Sequence, residues 1–101
     1  MSGVSYPYTY AYETVAASQT AQVLGGTGAK GDYVHRLIVV AANNTASNVT
    51  LIDGSTSIVI TGATTPVGTY SLELNMAAAT GPWKVTTGSG VTVIAVGIFS
   101  A

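Results

Sequence analysis

Cysteine is missing from this sequence, and charge nearly so. Without cysteine no disulfide staples the chain, and no thiol is available as nucleophile or metal ligand. Asp, Glu, Lys and Arg make up 7% of the 101 residues, against about 25% in an ordinary soluble domain. The only strong bases, Lys30, Arg36 and Lys84, are scattered. Nucleic-acid binding needs several clustered phosphate contacts, so no nucleic acid is expected as a partner. Four acids and one histidine are too few for a metal cage, and no metal or other cofactor is expected. No apolar run reaches the ~20 residues of a membrane span, so no membrane partner is expected either. The opening "MSGVSYPYTYAYE" has neither a basic leader nor an apolar signal core, so the general export route is not expected.

What is present is β-forming. Hydrophobic residues are 48% of the chain, and Thr, Ser and Gly fill most of the rest. Such a surface suits either an extracellular β domain faced with Thr and Ser, or a chain covered over much of its area by other protein. The length fits one small domain.

The N-terminal segment alternates. Tyr6, Tyr8, Tyr10 and Tyr12 fall on one side of an extended chain, and Pro7, Thr9, Ala11 and Glu13 on the other. Pro7 bars a central strand, because it has no N–H to donate. Residues 1–18 are therefore expected as an extended Tyr-rich arm, or as an edge strand of the domain formed by residues 19–101. The four tyrosines are interaction candidates, with apolar rings and polar tips.

Further along, "YVHRLIVVAA" reads as a strand that is apolar on both faces from Leu37 onward, and "VTVIAVGIF" reads the same way. Either run is buried on both sides or faces a partner. His35 and Arg36 are expected on opposite sides of the first run, as a core or interface pair. "SNVTLIDGSTSIVIT" is a hairpin around Asp53-Gly54. A two-residue turn there sets Leu51 against Thr56 and Val49 against Ile58. Val49, Leu51, Thr56, Ile58 and Ile60 then share one face, and a four-residue loop preserves it. "TYSLELNM" puts Tyr70, Leu72, Leu74 and Met76 inward. Trp83, after Gly81-Pro82, reads as a core anchor, with an interface hot spot as the alternative. Seven or so strands between Gly, Thr, Asn and Pro turns indicate an all-β fold. The expectation is a small antiparallel β-sandwich, a jelly roll being one form of it, with the N-terminal arm extended.

Chemistry finds little support. Gly26, Gly28 and Gly31 spell the dinucleotide fingerprint G-x-G-x-x-G. The fingerprint works only where its glycines open a helix whose N-terminus meets the pyrophosphate. Here Tyr33, Val34 and the β-branched run from Ile38 follow, so an inter-strand loop is expected. Asp32 and His35 point to opposite faces of a strand and cannot form a catalytic pair. Asp53 and Glu73 are the remaining carboxylate pair, yet one sits in a turn and the other on the polar side of a strand. No enzyme is expected.

A Tyr-rich arm on a short, cysteine-free, Gly/Thr/Ala/Val-rich chain, running through "QVLGGTGAKGDYVHRLIVV" into the "DGS" hairpin, resembles the small head decoration, or cement, proteins of tailed bacteriophages. Residues 19–101 carry most of the likeness. The resemblance implies a β-sandwich subunit, often a homotrimer or other homo-oligomer. Its partner would be the major capsid protein, on the outer capsid surface of a virion assembled in the host cytoplasm. It implies no ligand residues. A carbohydrate- or receptor-binding β module of a tail fibre or spike is the competing expectation, with tyrosine and tryptophan stacking on sugar rings.

Overall fold

A computed structural model describes residues 10–44, 46–62 and 64–101. From Ala11 onward the alternating runs become strands. β1 is Ala11–Val15, β2 Gln22–Val23, β3 Tyr33–Ala41, β4 Val49–Asp53, β5 Thr56–Thr61, β6 Gly68–Ala77, β7 Trp83–Thr87 and β8 Val91–Ile98. Among the described residues there is no helix.

The strands form two four-stranded antiparallel sheets, ordered β1-β8-β3-β6 and β2-β7-β4-β5. β1 thus pairs with β8, β2 with β7, β3 with β6 and β4 with β5. This nesting, a long hairpin rolled over so that its pairs alternate between sheets, is the jelly-roll arrangement of a β-sandwich. Period-two burial selects what lies between the sheets. Val34, Leu37, Val39 and Ala41 of β3 and Val91, Val93 and Ala95 of β8 share one core with Val49 and Leu51 of β4 and Trp83 and Val85 of β7. Tyr70, Leu72, Leu74 and Met76 of the edge strand β6 pack on it half-buried, on the side the alternation predicts.

Three expectations need correction in detail. The β4–β5 turn is Gly54-Ser55, with Asp53 opposite Thr56, so Leu51 faces Ile58 rather than Thr56. The pairing slides by two residues and the faces survive, because side chains repeat every second residue. Secondly, His35 and Arg36 do not point to opposite sides. A bulge lies between Val34 and Arg36, where β3 advances two residues while β8 advances one, from Gly97 to Val96. The extra residue breaks the alternation. Both side chains lie on the outer face, against exposed Asn75 in one case and exposed Ser71 and Glu73 in the other. Thirdly, residues 1–18, expected as an arm or an edge strand, are not an arm throughout: Ala11–Val15 is the edge strand β1, in register with β8. Tyr6 and Tyr8 lie outside the described residues.

The two long sides of the sandwich differ. Between β1 and β2, the Glu13 carboxylate accepts hydrogen bonds from the Gln22 side-chain amide at 2.7 Å and from the Gly25 N–H at 2.8 Å, which stitches the sheets together. Between β5 and β6 the sheets part around a cleft of about 360 Å³, lined by Ile60, Thr65, Pro66, Tyr70 and Leu72 among others.

Candidate functional site

The fingerprint glycines lie in the loop from β2 to β3, and the chain leaves that loop as a strand. Gly28 and Gly31 adopt φ of 67° and 93°, the left-handed region that glycine enters without strain. The loop's one carboxylate is held by the protein's own donors. Asp32 is 8% exposed. Its Oδ2 accepts from the N–H groups of Ala29 at 3.0 Å and Ser100 at 2.9 Å, and its Oδ1 from the Ser100 hydroxyl at 2.7 Å. The loop is an inter-strand connection pinned to the C-terminal segment, and Asp32 does not touch His35.

Asp53 and Glu73 are not brought together. Glu73 is on the outer face of the first sheet, 3.8 Å from Arg36. Asp53 ends β4 and holds the β6–β7 loop, accepting from the backbone N–H of Ala79 at 2.9 Å, Thr80 at 3.1 Å and Gly81 at 3.3 Å. The Ala79 and Thr80 bonds above all hold its carboxyl below the ordinary aspartate range. A carboxyl whose folded pKa is depressed stabilises the fold above its unfolded value and loses that contribution as pH falls through the folded one. Urea midpoints of the wild type should therefore drop as pH falls below about 4. Asp53→Asn should flatten that part of the profile. An unchanged acid limb in the variant would remove Asp53 from the account. Among the described residues no three His, Asp or Glu side chains come together.

The feature that departs from an ordinary sandwich is the outer face of the first sheet. An antiparallel sheet covered on one side usually presents polar residues on the other. Here the register sets Ile38 beside Ile94, flanked by Thr14 and Ser71. The next row is Tyr12, Val96, Arg36 and Glu73. On the other side of Ile38 lie Thr92, Val40 and Thr69. The doubly apolar runs are thus neighbours at the centre of one sheet. Their inward sets fill the core, and Ile38, Val40, Ile94 and Val96 make a continuous band outside. The second sheet's outer face, by contrast, mixes Lys84, Thr86, Thr50 and Ser57 with Ile52 and Val59.

At one end of the band stands an aromatic cluster. The Tyr10 ring lies parallel to His35, with centroids 4.6 Å apart and an 8° interplanar angle, and 6.2 Å from Tyr33. Asn75 Oδ1 accepts from the Tyr33 hydroxyl at 2.7 Å and meets His35 Nδ1 at 2.9 Å. Asn75 reaches the position from a φ of 52°, which asparagine tolerates better than most residues. Tyr12, 72% exposed, and Ile98, 42% exposed, border the cluster.

Of the interaction candidates, Tyr10 and Tyr12 are therefore on this face. Trp83 is not. It is 2% exposed, and its indole N–H donates to the Asp32 carbonyl at 2.8 Å, so it anchors the core and is unavailable to a partner. Tyr33 and Asn75 join the site only with the bulge, and His35, expected in a core or interface pair with Arg36, is placed with them by it; an asparagine within a run of β formers was the one local sign. Compared with protein-family models, curated proteins and solved structures, the chain matches none of them.

Proposed function

We propose that this chain is a structural virion protein, a decoration or cement subunit that binds the outer surface of a phage head and stabilises it. The observation that carries the reading is the outer band of Ile38, Val40, Ile94 and Val96 on a chain with 7% charged residues. A sheet face of this kind is suited to being covered by protein. The major capsid protein is the partner, the capsid surface the location, and a homo-oligomer the working form. An icosahedral shell repeats the same site, so a modest contact is multiplied when subunits are linked. The chain performs no chemistry in this role. Its two best-held carboxylates, Asp32 and Asp53, are occupied by backbone donors.

Contacts of this composition are apolar and backbone-mediated, so salt should not remove them. Raising ionic strength from about 0.15 to 1 M shortens the screening length from about 8 to 3 Å. Co-sedimentation with intact heads should persist across that range. Release by moderate salt would show that charge holds the subunit on, against this reading.

The cluster of Tyr10, His35, Tyr33 and Asn75 favours one alternative, a carbohydrate- or receptor-binding module of a tail fibre or spike. A tyrosine face next to polar side chains suits a sugar ring. A glycan screen separates the two, because a decoration subunit binds heads and no glycan.

A further inference from the structure

We infer that the outer face of the β1-β8-β3-β6 sheet is where two copies of this chain meet, sheet against sheet. The inference rests on the reading of the chain as an assembled structural subunit and names the occupant of the apolar band. Area is the first argument. At ordinary strand rise and spacing, strands of five, eight, nine and ten residues give a face of roughly 500 Å². Two such faces bury about 1,000 Å², the size at which specific interfaces begin.

Charge is the second argument. The face carries one cation and one anion, Arg36 and Glu73, 3.8 Å apart. A face that is neutral in this way can meet its own copy without like charges being forced together. About a twofold axis, the arginine of one copy can approach the glutamate of the other. A strongly charged partner surface would gain nothing from it.

Shape is the third. Ile38, Val40, Ile94 and Val96 are β-branched and flanked by Thr14, Thr69 and Thr92. Stiff side chains standing off a twisted sheet interdigitate with a second such sheet at about 10 Å separation, with strands about 30° apart. The contact is isologous, the same patch on both copies, and closes as a dimer rather than the trimer that the resemblance implies.

The test is sedimentation-velocity analysis of the full chain over about 1–200 µM, beside co-sedimentation with heads. Three variants are needed. Ile94→Lys places a charge in the middle of the band. Ile38→Thr with Ile94→Thr keeps β-branched residues in both strands while removing apolar surface. Val59→Lys, on the second sheet's outer face and 63% exposed, controls for added charge.

The wild type and Val59→Lys should be dimers, and the dimer constant should weaken at least 100-fold in Ile94→Lys. If that variant does not fold by circular dichroism, the double threonine variant gives the answer, with at least tenfold weakening expected. Equal dimerisation in all folded variants overturns the inference. A monomeric wild type also overturns it. If that monomer still binds heads and Ile94→Lys abolishes the binding, the band belongs to the shell and the decoration role survives. If neither dimer nor head binding is seen, both fall.

Discussion

Replacing Trp83 with alanine is expected to cost the domain about 3–5 kcal/mol, the range for deleting a large buried aromatic. The indole is the largest side chain in the core and is 2% exposed. It stands at the start of β7, packed with residues of both sheets, so its removal leaves a void the neighbouring strands cannot close without breaking register. The second loss is smaller. The indole N–H donates to the Asp32 carbonyl at 2.8 Å, but that carbonyl also accepts from Ala78 N–H at 2.8 Å and keeps a partner. Trp83→Phe separates the effects. It retains most of the apolar volume and loses the hydrogen bond, so about 1–2 kcal/mol is expected. In a domain of this size each kilocalorie moves the midpoint by about 4–8 °C. Trp83→Ala should then melt at least about 12 °C below the wild type at equal protein concentration. A drop of only a few degrees would mean that the indole does not organise the core.

Which side each strand presents was legible in the sequence, because side-chain direction repeats every second residue. The set Tyr70, Leu72, Leu74 and Met76 falls inward as the pattern requires, and so do Val49 and Leu51. Strand order was not legible. Alternation says which face a strand buries and nothing about its neighbour, so the jelly-roll nesting had to come from the structure. The same limit applies to the two doubly apolar runs. Their composition announced an unusual outer surface, yet only pairing of Ile38 with Ile94 makes that surface a single patch.

Bulges defeat sequence reading for a related reason. "YVHRL" offers no glycine or proline to mark an inserted residue, and strict alternation sends His35 and Arg36 to opposite faces. The irregularity shows only in the pairing with β8 and β6. There Gly97 leaves no room for a side chain, a Cβ on it falling 2.9 Å from the Phe99 ring and 3.0 Å from the Val34 Cα. The aromatic cluster is thus a product of tertiary pairing: Tyr10 and His35 were candidates beforehand, but nothing in the sequence put them together or added Tyr33 and Asn75.

Asp32 should show that its role is to accept hydrogen bonds rather than to carry charge. Asp32→Ala is expected to cost about 2–4 kcal/mol, since it leaves the Ala29 and Ser100 N–H groups without their acceptor in a part-buried site, at roughly 1–3 kcal/mol for each donor left unsatisfied. The affected contacts join the β2–β3 loop to a segment 68 residues away in sequence, so the chain end should loosen along with the loop. Asp32→Asn differs. An amide oxygen in the place of Oδ2 still accepts from both backbone N–H groups, and an amide nitrogen in the place of Oδ1 can donate to the Ser100 hydroxyl, which serves as acceptor as readily as donor. Only the charge assistance is lost, worth about 1 kcal/mol. Urea denaturation should therefore place Asn close to the wild type and Ala well below it, and hydrogen exchange at Ala29 and Ser100 should accelerate only in the alanine variant. Equal destabilisation by both substitutions would show that the negative charge itself matters. The loop carrying the fingerprint-like glycines would then have to be reconsidered as an electrostatic element.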